Sequence, residues 1–156
     1  PSEKNILTAR VHAEEQELAI DYRCATAEDL AAAGERFDVI LNMEVVEHVS
    51  DVGLFVARCG EMLNPGGIMF VATINRTLKA LGLAIVGAEY LARMLPKGTH
   101  QYRDFIKPSE LANGLRAAGL SLEDVSGLVY EPWRNRAYVG GRTDVNYLAC
   151  AVKPVF

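Results

Sequence analysis

Two carboxylates and an imidazole, Glu44, Glu47 and His48, fall within a stretch of five residues. Spacings of three and four put all three on one face if the chain there is helical. Such a set offers two hard oxygens and one nitrogen to a divalent cation and leaves positions open for substrate and water. Magnesium suits the carboxylates best, while zinc or manganese suits the mixed set. Two other readings stand beside this one. Glu47 and His48 can simply cap the helix that follows and hydrogen-bond its first turn. His48 can instead work without metal as a general base, because histidine titrates near neutral pH. A metal-bound imidazole could not also take the proton.

The residues just before this set read as the strand that positions it. Phe37-Asp38-Val39-Ile40-Leu41 is short, apolar and β-branched, with polar Gly34-Glu35-Arg36 before it and Asn42 after it. That pattern predicts a central parallel strand covered on both faces. Open α/β sheets bind ligands just beyond the carboxyl ends of their strands, where the set lies. Met43 is at the same strand end, where either core packing or contact with a ligand is expected.

Other elements follow from period and punctuation. Ser2 caps a helix to about residue 18, residues 19–24 alternate as a short strand, and Ala27-Glu28-Asp29-Leu30 opens a helical turn ending near Gly34. Glu28 there reads as a solvated first-turn carboxylate. Ser50 or Asp51 caps the next helix, with Phe55, Cys59, Met62 and Leu63 on one face, and Pro65-Gly66-Gly67 stops it. Residues 68–74, apolar with one Thr, predict a second buried parallel strand. Residues 78–95 read as a long apolar helix closed by the turn at 96–100, and Pro108-Ser109-Glu110 opens another with Leu111, Leu115 and Ala118 on one face. Strands at about 120–130 and 145–152 are joined by a loop too short for a crossover helix, so they pair antiparallel. The alternation predicts one doubly wound α/β domain without repeats or linkers.

A chain of 156 residues, half of them apolar, supports one domain with a substantial core. Its net charge of −4 argues against nucleic acid as partner. Residues 76–107 depart from that balance: Arg76, Lys79, Arg93, Lys97, Arg103 and Lys107 face only Glu89 and Asp104 within the segment. The uncharged run at 80–88 is too short to span a bilayer, but an apolar helix flanked by cations can lie in an anionic membrane surface. An ordinary buried helix with charged ends is the alternative. Cys24, Cys59 and Cys150 are widely spaced in apolar sequence, as buried thiols in a reducing, cytoplasmic compartment would be. His12 reads as a solvated helix residue, His100 as a turn residue or one facing a substrate, and Trp133 has no assigned role.

A strand ending in polar residues, a capped helix, Pro-Gly-Gly, a strand and a final antiparallel pair resembles the later part of class I S-adenosylmethionine-dependent methyltransferases. Met43-Glu44-Val45-Val46-Glu47-His48-Val49 with Pro65-Gly66-Gly67 resembles the corresponding region of several such families. Thr73-Ile74-Asn75-Arg76-Thr77, Leu95-Pro96-Lys97-Gly98-Thr99-His100, Phe105-Ile106-Lys107-Pro108-Ser109-Glu110-Leu111 and Asp144-Val145-Asn146-Tyr147 are similar to blocks of the ubiquinone-biosynthesis O-methyltransferase family. The resemblance covers essentially the whole chain. It implies a Rossmann-like sheet, mostly parallel with a C-terminal antiparallel pair, and residues 1–156 as the C-terminal part of a single methyltransferase domain. The family's glycine-rich loop and the acidic end of its second strand have no counterpart here, as no Gly-x-Gly occurs. The sequence therefore resembles the last three-fifths of the enzyme with the first two strands missing, a piece expected to bind cofactor poorly and to self-associate through an unpaired sheet edge.

The resemblance implies methyl transfer from S-adenosylmethionine to a phenolic or catechol hydroxyl of a polyprenylated ubiquinone precursor. It implies Glu44, Glu47 and His48 as ligands of a divalent metal that would acidify and orient a catechol. It also implies that Met43 contacts the cofactor and that Ala27 and Glu28 lie near the adenine. A polyprenyl substrate gives the 76–107 segment a reason to cover substrate and meet the inner membrane as a peripheral contact. The rivals are a metal-free small-phenol O-methyltransferase with His48 as base, and a non-catalytic module binding lipids or partner enzymes.

Overall fold

The computed structural model describes residues 2–81, 105–131 and 134–155. Most of the expected 78–95 helix, the 96–100 turn with His100, the cations Arg93, Lys97 and Arg103, and Trp133 lie outside the described residues.

Local signals set most element starts. The Ser2 hydroxyl accepts from the Asn5 N–H and opens α1 (Glu3–Glu15), and Thr26 and Asp29 form a reciprocal capping box on α2 (Ala27–Ala32). The strand expected at 19–24 does not form. A strand exists through its ladder, and no strand among the described residues pairs with this segment. Side chains hold it instead: the Arg10 guanidinium donates twice to the Tyr22 carbonyl, and Arg23 bridges Asp21 and Glu35.

β1 (Phe37–Met43) leads through a short 3-10 turn (Val46–His48) to α3 (Val52–Met62), which Asp51 caps, and α3 passes directly into β2 (Leu63–Ile74). Pro65-Gly66-Gly67 thus lies inside β2 and not ahead of it. The register moves from Phe37 opposite Leu63 to Val39 opposite Ile68, so β2 bulges here against β1. Gly66 has φ +80, and a Cβ on Gly67 would lie 2.8 Å from the Asn64 carbonyl oxygen and 3.0 Å from that of Asp38. The glycines are demanded by this bulge. After β2 come α4 (Leu78–Ala80), α5 (Pro108–Ala117), β3 (Ser121–Glu131), β4 (Arg136–Val139) and β5 (Asn146–Val152).

The described strands form one sheet in the order β1-β2-β5-β3-β4. The last strand is inserted antiparallel between β2 and β3, and β3 and β5 pair antiparallel as their short connection requires. The sheet is less parallel than expected. Only β1 and β2 run parallel among the described strands, because residues 19–24 add no strand and β4 extends the antiparallel side from within the 132–143 loop.

One continuous core joins α2, α3 and α5 to the sheet, with Val56, Leu63, Met69, Leu111, Leu115 and Tyr147 at its centre. The buried Tyr147 hydroxyl donates to the Ile106 carbonyl at 3.0 Å, meeting its polar requirement inside the core. β1 is not the doubly covered central strand that its composition predicts. Ile40 packs against the core, whereas Val39, Leu41 and Met43 on the alternate face are 53%, 64% and 49% exposed. Among the described residues β1 pairs on one side only. Its composition reports an apolar preference, and that preference remains unmet on one face.

Candidate functional site

The carboxyl end of β1 delivers Met43 and then Glu44. Glu44 has φ +54, a left-handed conformation uncommon for a residue with a side chain. Its N–H still donates to the Ala72 carbonyl at 2.9 Å, so the ladder to β2 continues one residue past the strand and then breaks. The chain next enters the 3-10 turn, where the His48 N–H donates to the Val45 carbonyl at 2.9 Å. The three candidate ligands therefore do not share a helical face. Glu44 precedes the turn in a backbone conformation that interrupts any helical path, and the turn itself is only three residues long.

Burial sorts the turn. Val46 is in the core, Glu47 is 5% exposed, and His48 is exposed. A buried carboxylate needs partners. Glu47 finds one across the sheet in Thr73 of β2, itself fully buried, whose hydroxyl donates to Oε2 at 2.8 Å. The other oxygen, Oε1, is the one buried side-chain polar atom without a hydrogen-bond partner among the described residues. The Glu44 carboxyl is pushed up to about 7, first by desolvation and then by the negative charge of Glu47. Two neighbouring carboxyls can share a proton or hold a cation.

The two glutamates thus come together, and beside the buried Glu47 the next residue, His48, is exposed. No group of three or more His, Cys, Asp or Glu side chains among the described residues is placed to hold a metal ion. The donor set nevertheless fits a hard divalent cation as a two-carboxylate site, because Glu47 Oε1 is buried without a partner and Glu44 is a second oxygen donor beside it.

Met43 follows Asn42 and leaves β1 on the opposite face. Asn42 is buried, and its amide donates to Cys59 Sγ on α3 at 3.8 Å. The Cys59 thiol is pushed up to about 11 by burial, with the Asn42 hydrogen bond opposing and the charge of Glu28 adding to the shift. Glu28 therefore sits beside α3, on the other side of β1 from Met43. Ala27 packs its partly buried methyl against the core.

Thr73 escaped the sequence reading. Its one signal is that it is the single hydroxyl in the apolar run at 68–74, where a lone polar residue implies a buried partner. Arg76 and Glu110 were also not read as a pair. Arg76 donates to both Glu110 oxygens, at 3.1 and 2.9 Å, and to the Phe105 carbonyl at 2.7 Å. These two residues border an open cleft of about 250 Å³ between the starts of α3 and α5, lined also by Val52, Gly53, Ile106 and Leu111. The basic segment changes meaning accordingly. Arg76 is paired with Glu110 and Lys79 with Asp144, both acids lying outside the segment in sequence.

Comparison with known proteins adds three findings. Residues 1–71 match a family model described as a methyltransferase domain. The chain is 59% identical over 152 residues, 97% of its length, to the ubiquinone biosynthesis O-methyltransferase of Mesorhizobium japonicum, and it covers 61% of that protein. It is 57% identical over 150 residues to the enzyme of the same name from Xanthomonas campestris pv. campestris, with 96% of this chain and 63% of that one covered. The chain thus spans about three-fifths of the length of the curated relatives it matches. Among solved structures, a putative methyltransferase from Bacillus halodurans C-125 superposes with a TM-score of 0.67 at 18% identity, covering 99% of this chain and 80% of that one. A methyltransferase described as S-adenosylmethionine-dependent, from Methanosarcina mazei, gives 0.63 at 11% identity with the same coverages. At such identities the likeness is one of fold.

Proposed function

We propose that this chain is part of a class I S-adenosylmethionine-dependent methyltransferase, and that the whole protein methylates a phenolic or catechol hydroxyl of a polyprenylated ubiquinone precursor. The names of the relatives support the substrate class. The observation that supports the chemistry is the pairing of Glu44 with Glu47 at the carboxyl end of β1, directly beyond the half-exposed Met43.

S-adenosylmethionine, when bound, supplies an electrophilic methyl group. Met43 is the cofactor contact in this reading, its exposed side chain offering an apolar surface at the strand end. Ala27 and Glu28 remain the adenine-side residues, reached from α2. Glu44 and Glu47 would hold a divalent cation, magnesium by the hardness of the two carboxylates, and the cation would supply Lewis acidity and a template for adjacent catechol oxygens. The chain's own task is then to keep two acids side by side in a partly dry site. A polyprenyl tail on the substrate would give the 76–107 segment, most of which lies outside the described residues, a role in meeting the substrate and the membrane surface. No helix among the described residues is long and apolar enough to cross a membrane.

A second reading is favoured by the exposure of His48 next to the buried Glu47. There His48 takes the phenolic proton, no metal participates, and the acceptor is a smaller phenol. Methyl transfer by the full-length protein, assayed with and without a chelator, tests both readings. The metal reading expects activity that chelation abolishes and magnesium restores. Undiminished activity in chelator moves the assignment to His48 as base. Failure of the full-length protein to bind S-adenosylhomocysteine in calorimetry would sink both.

A further inference from the structure

We propose that Thr73 is a positioning residue that sets the orientation of the Glu47 carboxylate for cation binding. The inference rests on the reading of Glu44 and Glu47 as metal ligands. Thr73 is the penultimate residue of β2, an interior strand of the sheet, with Tyr147 of β5 opposite. It is fully buried, so its hydroxyl has no water to turn to. Its β-branched side chain has few χ1 choices in a strand, which makes the hydroxyl a stiff donor. The 2.8 Å bond to Glu47 Oε2 fixes one oxygen of a carboxylate that is otherwise carried on a single 3-10 turn.

The consequence falls on the other oxygen. With Oε2 engaged, Glu47 keeps Oε1 buried and without a partner, next to the second acid Glu44. A buried carboxylate oxygen without a donor is costly unless something is meant to occupy it. A side chain that bonds one oxygen of a ligand carboxylate and leaves the other available acts as the orienting partners of metal ligands do. Loss of such a partner commonly weakens metal binding by about 10- to 100-fold.

Mn²⁺ binding to the full-length protein, read by the electron paramagnetic resonance signal of free Mn²⁺, tests this apart from activity. Thr73→Val keeps the shape and removes the hydroxyl, and it is expected to weaken Mn²⁺ binding about tenfold. Thr73→Ser keeps the hydroxyl and is expected to bind within about threefold of wild type, on the same scale. Glu47→Gln is the reference for loss of the ligand itself. If Thr73→Val does not fold, Thr73→Ala against Thr73→Ser makes the same comparison. Equal Mn²⁺ affinity in wild type and Thr73→Val, with Glu47→Gln impaired, overturns the role of Thr73 and leaves the metal reading standing. A wild-type protein that binds no Mn²⁺, or a Glu47→Gln variant that binds as wild type does, overturns the metal reading and this proposal with it.

Discussion

Arg76 holds Glu110 with both arms of its guanidinium, at 3.1 and 2.9 Å, across 34 positions of sequence. The same side chain donates to the Phe105 carbonyl, so one residue just past β2 anchors the chain leading into α5. The pair is partly exposed and by itself is worth under about 1 kcal/mol. The half-buried backbone bond adds about 1 kcal/mol or more, since its donor is charged. Arg76→Ala is therefore expected to lower stability by about 1–2 kcal/mol, and Glu110→Gln by less. Urea unfolding checks the order, and equal losses in the two variants would remove the Phe105 bond from the account.

Glu44 predicts a pH dependence of defined sign. Its folded carboxyl titrates near 7, above the ordinary value of 4.5, because desolvation and Glu47 oppose its charge. The folded state thus binds the proton more tightly than the unfolded state does. Its contribution to stability is complete below about 4.5 and is lost as pH rises through about 7. In chelator, unfolding free energy should fall from pH 5 to pH 8 by more in wild type than in Glu44→Gln. Parallel pH profiles for the two proteins would show that Glu44 is not held beside Glu47.

Lys153 closes the far end of α3. Its ammonium donates to the carbonyls of Gly60, Glu61 and Leu63 at 2.9, 3.3 and 2.8 Å, placing a cation where the helix dipole is negative. Lys153→Met keeps the aliphatic stem and removes the donors, with an expected loss of about 1–2 kcal/mol. Thermal unfolding is the check, and the fall should appear without change in near-ultraviolet signals from the site.

The apolar edge of β1 predicts association. Val39, Leu41 and Met43 are largely exposed beside a strand edge that is unpaired among the described residues. Sedimentation velocity on this chain should show species that grow with concentration, and Leu41→Lys should suppress them. A wild-type chain that stays monomeric would count against the edge as a contact surface.

Much of the architecture was legible because its causes are local. Ser2 and Asp51 cap helices through bonds that reach only three residues ahead, and Leu111 and Leu115 mark a buried helix face by spacing alone. The short loop at 132–143 was enough to predict the antiparallel pairing of β3 with β5, though not the β4 strand formed inside it. The strand at 19–24 was misread for the opposite reason. Alternation is local, whereas a strand exists only through its ladder, and among the described residues this segment pairs with no strand although one edge of β1 stays open.

The candidate site divides in the same way. Residue type and spacing in the sequence were sufficient to single out Glu44, Glu47 and His48 and to place them at a strand's carboxyl end. The left-handed turn at Glu44, the exposure of His48 beside the buried Glu47, and the choice of Thr73 as partner for Glu47 were decided only by the tertiary structure. Caps, turns and periodic faces are encoded within a few residues. Which buried donor meets which buried acceptor depends on strand register across the sheet, and register is a property of the whole packed chain.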